Sequence, residues 1–177
     1  LWGHLEMIRS VNRVSKVLET IDNNPGIQFR DLMEQTGMKN GVLSHYVNKI
    51  EKDGMVQVER GARQTRFFPL NVSDSERKIT TALRKDTPRK IILYLMSEGD
   101  TGVEFSTIPI NIGRSPSTVS TYLSQLVDDE IISIRLDNKR KMYFVSDRKS
   151  VDGLIDMYHP GFASSAADSF ADTFNSL

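Results

Sequence analysis

Residues Gly26–Phe68 align without a gap onto Gly102–Phe144 at a constant offset of 76, and this internal repeat restricts the chain to folds built from two like units. Gly26, Phe29, Gly37, Ser44, Tyr46, Asp53 and Phe68 meet Gly102, Phe105, Gly113, Ser120, Tyr122, Asp129 and Phe144. Seven identities in 43 positions are few, but the apolar positions coincide as well. Leu32 meets Ile108, Leu43 meets Val119, Val47 meets Leu123, Ile50 meets Leu126 and Val58 meets Ile134. Apolar residues held at one spacing predict one core used twice.

Each copy predicts the same order of elements. Val14, Val17, Leu18 and Ile21, and later Ile91, Ile92, Leu95 and Met96, lie at helical spacing. A glycine-containing turn follows, then a short helix from about Phe29 or about Ser106. With Ser106 as N-cap, Pro109 falls in the first turn, where the missing amide costs nothing. Gly37 and Gly113 end the short helices, since glycine turns the chain in the left-handed region. The next helix starts near Asn40 in one copy and at Ser115 in the other, with Ser115 as cap and Pro116 at the first helical position.

After these helices, "MVQVE" and "IISIR" alternate as strands, and "RFFPL" and "MYFVS" return. The tips between them, "RGARQT" and "LDNKRK", are rich in Gly, Asn and cations. Two helices joined by a tight turn and followed by a hairpin make a winged helix-turn-helix. The expected fold is α+β, mainly helical, with tandem winged helix-turn-helix domains at 8–70 and 71–148 and a helical tail at 149–177. Between the two, "SDSE" (Ser73–Glu76) fits a capping box and predicts a helix from about Asp74 to Lys85, with Thr87-Pro88 starting the next.

The segment "KNGVLSHYVNKIEKDGMVQVERGARQTRFFP" resembles the recognition helix and wing of archaeal winged-helix transcriptional regulators. Asn40, Gly41, Leu43, Ser44, Glu51, Gly54 and Pro69 match that family's pattern. Val42 stands where Thr is usual, and His45-Tyr46 reverses the aromatic pair. "SPSTVSTYLSQLVDDEIISI" resembles the same class, and "YHPGF" is similar to a Tyr-x-Pro-x-Phe segment that follows the second domain in tandem archaeal regulators. The resemblance covers roughly 10–162 and implies a duplex-DNA partner, without specifying an operator.

A helix over Asn40–Lys52 puts Leu43, Val47 and Ile50 on one buried stripe. Lys39, Asn40, Gly41, Ser44, His45, Asn48 and Lys49 are then outward candidates for the major groove, where short polar side chains reach base edges and phosphates. In the second copy Ser115, Ser117, Thr118, Thr121, Tyr122 and Gln125 lie on or beside the outward face. A solvated face is the alternative for each, and packing on the helix flank is the alternative for Tyr46 and Tyr122. On the wings, Arg60, Arg63 and Arg66, and Arg135, Lys139, Arg140 and Lys141, supply cations for the sugar-phosphate backbone. Cations there could instead keep strand edges from pairing with other chains.

Bulk charge decides little, because 23 basic and 23 acidic residues cancel. Their distribution is more useful: residues 150–177 hold four Asp and no Lys or Arg, so residues 1–149 carry 23 − 19 = +4. There is no cysteine, which excludes disulfides and thiolate metal sites and fits a reducing cytoplasm. No apolar run reaches a membrane span. His4, His45 and His159 lack metal-ligand spacing, and neither a catalytic triad nor a glycine-rich phosphate loop is present. "SDRKS" and "SSAADS" are expected to be polar turns. No enzyme, cofactor or metal is expected.

In the tail, Phe162, Ala166, Phe170 and Phe174 recur every four residues, with Leu177 near the stripe and Asp168 and Asp172 off it. Such a stripe needs a partner, either its own chain or a second subunit in a homodimer. Two alternatives to a DNA-reading regulator stay open: a protein-interaction scaffold of the chromosome-segregation or polymerase-associated type, and a regulator controlled by a small ligand. The first copy, with Lys39, Asn40 and His45, is expected to make more base contacts, and the second more backbone contacts.

Overall fold

The computed structural model describes residues 2–162, and the side chains of residues 2–157. Within them the fold is α+β and mostly helical, with eight α-helices and two three-stranded antiparallel sheets. Its contacts separate a first unit through Ser73 from a second beginning at Asp74.

The first unit runs α1 (Trp2–Asn23), β1 (Ile27–Gln28), α2 (Phe29–Thr36), α3 (Asn40–Lys52), β2 (Gln57–Arg60) and β3 (Thr65–Phe68), with strand order β1-β3-β2. Val17 and Ile21 of α1, Leu32 of α2, and Leu43, Val47 and Ile50 of α3 join Ile27, Val56 and Phe67 in one core. Burying each such side chain contributes about 1.5–3 kcal/mol. The arrangement is compatible with a winged helix.

The second unit opens with α4 (Asp74–Leu83), which packs on α5 (Asp86–Ser97). It then repeats the order of the first: β4 (Val103–Glu104), α6 (Thr107–Ile112), α7 (Pro116–Asp128), β5 (Ile132–Asp137) and β6 (Arg140–Val145), in strand order β4-β6-β5. Ile27 lies opposite Phe67, and Val103 lies opposite Tyr143, so the strand registers repeat at the sequence offset. Val119, Leu123 and Leu126 are buried as Leu43, Val47 and Ile50 are. Val58 and Ile134 break the parallel, since Val58 is half-buried while Ile134 is 43% exposed. α8 (Arg148–Phe162) follows, belonging to this unit through His159 and burying Val151, Leu154 and Ile155.

Backbone geometry accounts for the turns. Gly37 and Gly113, at φ 68° and 65°, cap α2 and α6, their amides donating to the carbonyls of Met33 and Pro109. α3 and α7 leave their last turns by the same double bond: Gly54 to Glu51 and Met55 to Ile50, Glu130 to Val127 and Ile131 to Leu126. This is a Schellman exit, and its left-handed residue is Gly54 in one unit but Glu130, at φ 60°, in the other.

Several local expectations are revised. Ser106 occupies the N-cap position of α6 but has helical dihedrals and makes no side-chain cap bond. α4 ends at Leu83 and α5 begins at Asp86, both earlier than expected. "SDRKS" is not a free turn: Asp147 accepts from the amide and hydroxyl of Ser150 at 3.0 and 2.6 Å, and α8 starts there. The cap hydrogen bonds hold the Asp147 carboxyl below its ordinary range. The Arg148 guanidinium adds bonds to the carbonyls of Leu95 and Met96, tying α8 to α5. The tail stripe of Ala166, Phe170, Phe174 and Leu177 lies outside the described residues.

A non-glycine residue in the left-handed region costs about 1–2 kcal/mol, and glycine returns roughly 0.5–1 kcal/mol of that as entropy. Glu130→Gly is therefore expected to stabilise the chain by up to about 1 kcal/mol in urea unfolding. A destabilised variant would show that the Glu130 side chain contributes more than its backbone costs.

Candidate nucleic-acid interface

α3 is held by one stripe, so its other face is open to solvent. Leu43, Tyr46, Val47 and Ile50 are buried, whereas Asn40, Gly41, His45, Asn48 and Lys49 are exposed. Lys39, at the N-cap position, is exposed and makes no capping bond. Ser44 is half-buried and donates to Asn40 Oδ1 at 3.1 Å. The seven helix residues singled out in the sequence are thus on one side, with donors, acceptors and two cations together at the start and along the length of the helix. Tyr46 packs instead of facing outward, its ring edge-on to His45 at 5.1 Å.

Two further cations stand beside this face, of which Arg13 had no signal in the sequence whereas Lys52 follows Asn48 by one helical turn. The exposed Arg13 of α1 stands over the Tyr46 ring with its guanidinium carbon 6.0 Å from the centroid. Only the packing of α1 on α3 brings it there. Lys52, in the last turn of α3, is also exposed.

The first wing departs from expectation. Arg66 is not a tip cation but is 5% exposed, donating to the Gly26 carbonyl at 2.8 Å and to Gln64 Oε1 at 3.0 Å. Burial pulls its guanidinium below its ordinary pKa. Its neighbour Phe67 enters the core, so Arg66 points to the opposite face of the sheet, where a guanidinium that cannot shed its charge takes the Gly26 carbonyl. Arg60 is exposed but occupied, making two hydrogen bonds to the Glu51 carboxylate at 2.6 and 2.7 Å. That bond, reinforced by the Arg60 charge, holds Glu51 below the usual carboxylate range. Arg63, exposed and in no ion pair among the described residues, remains the available wing cation of the three.

In the second unit the hydroxyls at the start of α7 bond locally. Ser115 accepts from the Thr118 amide at 3.3 Å and donates to Thr118 Oγ1 at 2.8 Å, so it is the cap of the helix. Thr121 donates to the Ser117 carbonyl at 3.1 Å. Ser117, Thr121 and Gln125 are exposed, and Thr118 and Tyr122 are half-buried. α7 contains no Lys, Arg or His. Arg114, just before it, is drawn to Asp86 and to the Gly113 carbonyl.

The second wing turns through Asn138 and Lys139, both at positive φ (48° and 68°), as a two-residue hairpin requires. Arg140 pairs with Glu104 at 2.8 Å. Arg135 donates to the carbonyls of Asp100 and Thr101 and lies 5.2 Å from the Phe144 ring centroid. Lys139 and Lys141 stay exposed without an ion pair among the described residues. Most wing arginines are thus structural ties, and the lysines and Arg63 are the cations left to meet an outside anion.

Two outcomes follow. Arg66→Met, which installs the residue found at the equivalent Met142, should leave duplex affinity within roughly twofold while costing about 1–3 kcal/mol of stability, because the Gly26 carbonyl loses its guanidinium donor. Arg66→Ala should cost about 1–3 kcal/mol by leaving the Gly26 carbonyl unbonded. A large affinity loss in a folded Arg66→Met would restore it as a phosphate contact. For the second, a carboxylate with a depressed folded pKa adds stability that is present above its unfolded pKa and lost as pH falls through the folded one. Arg60→Ala should move the Glu51 titration, followed by carboxyl carbon NMR, up toward its ordinary value; an unmoved midpoint would mean the pair does not form in solution.

Residues 12–80 match a family model described as an N-terminal HTH domain. No curated protein matches the chain. Among solved structures, a crystal structure of a conserved hypothetical protein from Chlorobium tepidum is 14% identical, covering 86% of this chain and 99% of its own, with a TM-score of 0.27. No described helix is long and apolar enough to cross a membrane. The HTH match falls on the unit whose helix α3 presents the basic polar face, and it supports a helix-turn-helix protein with DNA as partner.

Proposed function

We propose that the chain is a sequence-specific, duplex-DNA-binding transcriptional regulator built as tandem winged helices, with the first unit as its main reader. The observation that carries this is the outward face of α3: Asn40, Gly41, His45, Asn48 and Lys49 exposed opposite a fully buried stripe. Asn and His offer paired donors and acceptors to base edges, Lys39 and Lys49 reach phosphates, and Gly41 lets the backbone come close. Arg63 of the first wing and Lys139 and Lys141 of the second serve the sugar-phosphate backbone. The likeness of Lys39–Pro69 to archaeal regulators supports kinship with that group and a cytoplasmic setting. Homodimer formation through the tail would match two half-sites. Binding needs no catalytic group or cofactor.

Fluorescence anisotropy with duplex DNA at low and raised salt tests this. Affinity should fall steeply with salt, and Lys49→Ala should flatten the log–log slope by about 1 while weakening all sequences alike. Gly41→Ala should stabilise the helix by roughly 0.5 kcal/mol, because a Cβ there meets nothing within 4 Å, and still weaken binding. Absence of binding at low salt would end the proposal.

A further inference from the structure

The two units differ where recognition helix meets wing. In the first, the Arg60–Glu51 pair bridges α3 to β2. At the repeat offset those positions become Leu136 and Val127, and Lys52 becomes Asp128. No bridge can form, and an open cleft of about 160 Å³ lies there, lined by Phe105, Leu123, Val127, Ile134 and Tyr143, with Ser120, Ser124 and Asp128 as its polar groups. Leu136, on the same β5 face as Ile134, is 71% exposed.

Size and charge define the occupant. Ligand pockets run from about 300 Å³ upward, whereas a cavity of about 150 Å³ holds one benzene, so this cleft suits a single side chain. Asp128 lines it, Asp129 and Glu130 follow, and none of the three has a side-chain partner among the described residues. With no cation on α7, this edge repels phosphate and favours Lys or Arg. Residues 163–177 of this chain do not fit, since Asp168 and Asp172 are their only charges.

We infer that this cleft is a docking site for a segment of another protein that inserts one Phe- or Leu-sized side chain between α7 and the wing and sets a Lys or Arg beside Asp128. It does not rest on DNA reading by the first unit. The site gives the second unit a partner different in kind from that of the first.

Random peptides displayed on phage, selected on the full chain and then tested as purified peptides, provide the test. The comparison protein is Val127→Glu/Leu136→Arg, which rebuilds the first unit's bridge across the cleft. Selected peptides should share an apolar anchor flanked by Lys or Arg and bind the double variant at least tenfold more weakly. Asp128→Lys, a surface change that leaves the core alone, should turn the flank preference acidic. Peptides that bind both proteins equally, a selection yielding none, or acidic flanks on the unaltered chain would overturn the inference.

Discussion

Everything at the candidate interface depends on how α3 and α7 are held: along one stripe only. Leu43, Val47 and Ile50, and Val119, Leu123 and Leu126, are the buried residues that seat these helices in their units. A helix anchored on one side keeps its opposite side at a set orientation without committing it to packing. The left-handed exits at Gly54 and Glu130 then send the chain back toward the sheet, so the wing stands beside the helix it follows.

On that shared frame the charges diverge. The first unit carries cations on α3 and ties Glu51 to Arg60; the second has no cation on α7 and leaves Asp128, Asp129 and Glu130 at its exit. A duplex is a polyanion, and phosphate contacts supply most non-specific affinity. The same backbone geometry therefore faces nucleic acid favourably in one unit and unfavourably near the exit of the other. The contrast between the units lies in a few surface residues and not in the order of their elements.

The helices and hairpins were legible because their signals are local, whereas the two-residue strands β1 and β4, read as turns, exist only through pairing with β3 and β6. The glycine caps, the Ser115–Pro116 start and the alternating strands depend on neighbours in the chain, and α2, α3, α7 and the two hairpins begin and end near the expected residues. The wing cations were less legible. Arg60, Arg66, Arg135 and Arg140 look alike in sequence, yet each is occupied by Glu51, Gly26, Asp100 and Thr101, or Glu104, partners brought near by folding. Arg13 was invisible for the converse reason, since its nearness to α3 exists only once α1 has packed.

The sequence by itself determined the repeat, the order of helices and hairpins and the side of α3 and α7 that must be buried, because periodicity and turn chemistry act over a few residues. Tertiary structure alone decided which charges are available to a partner. A guanidinium near a carbonyl or carboxylate 9 to 40 residues away, as with Arg60 and Arg66, is a tie within the unit and not a hand extended outward. The open cleft beside α7 was decided in the same way: Val127, which lines it, stands where the first unit has Glu51 bound to Arg60.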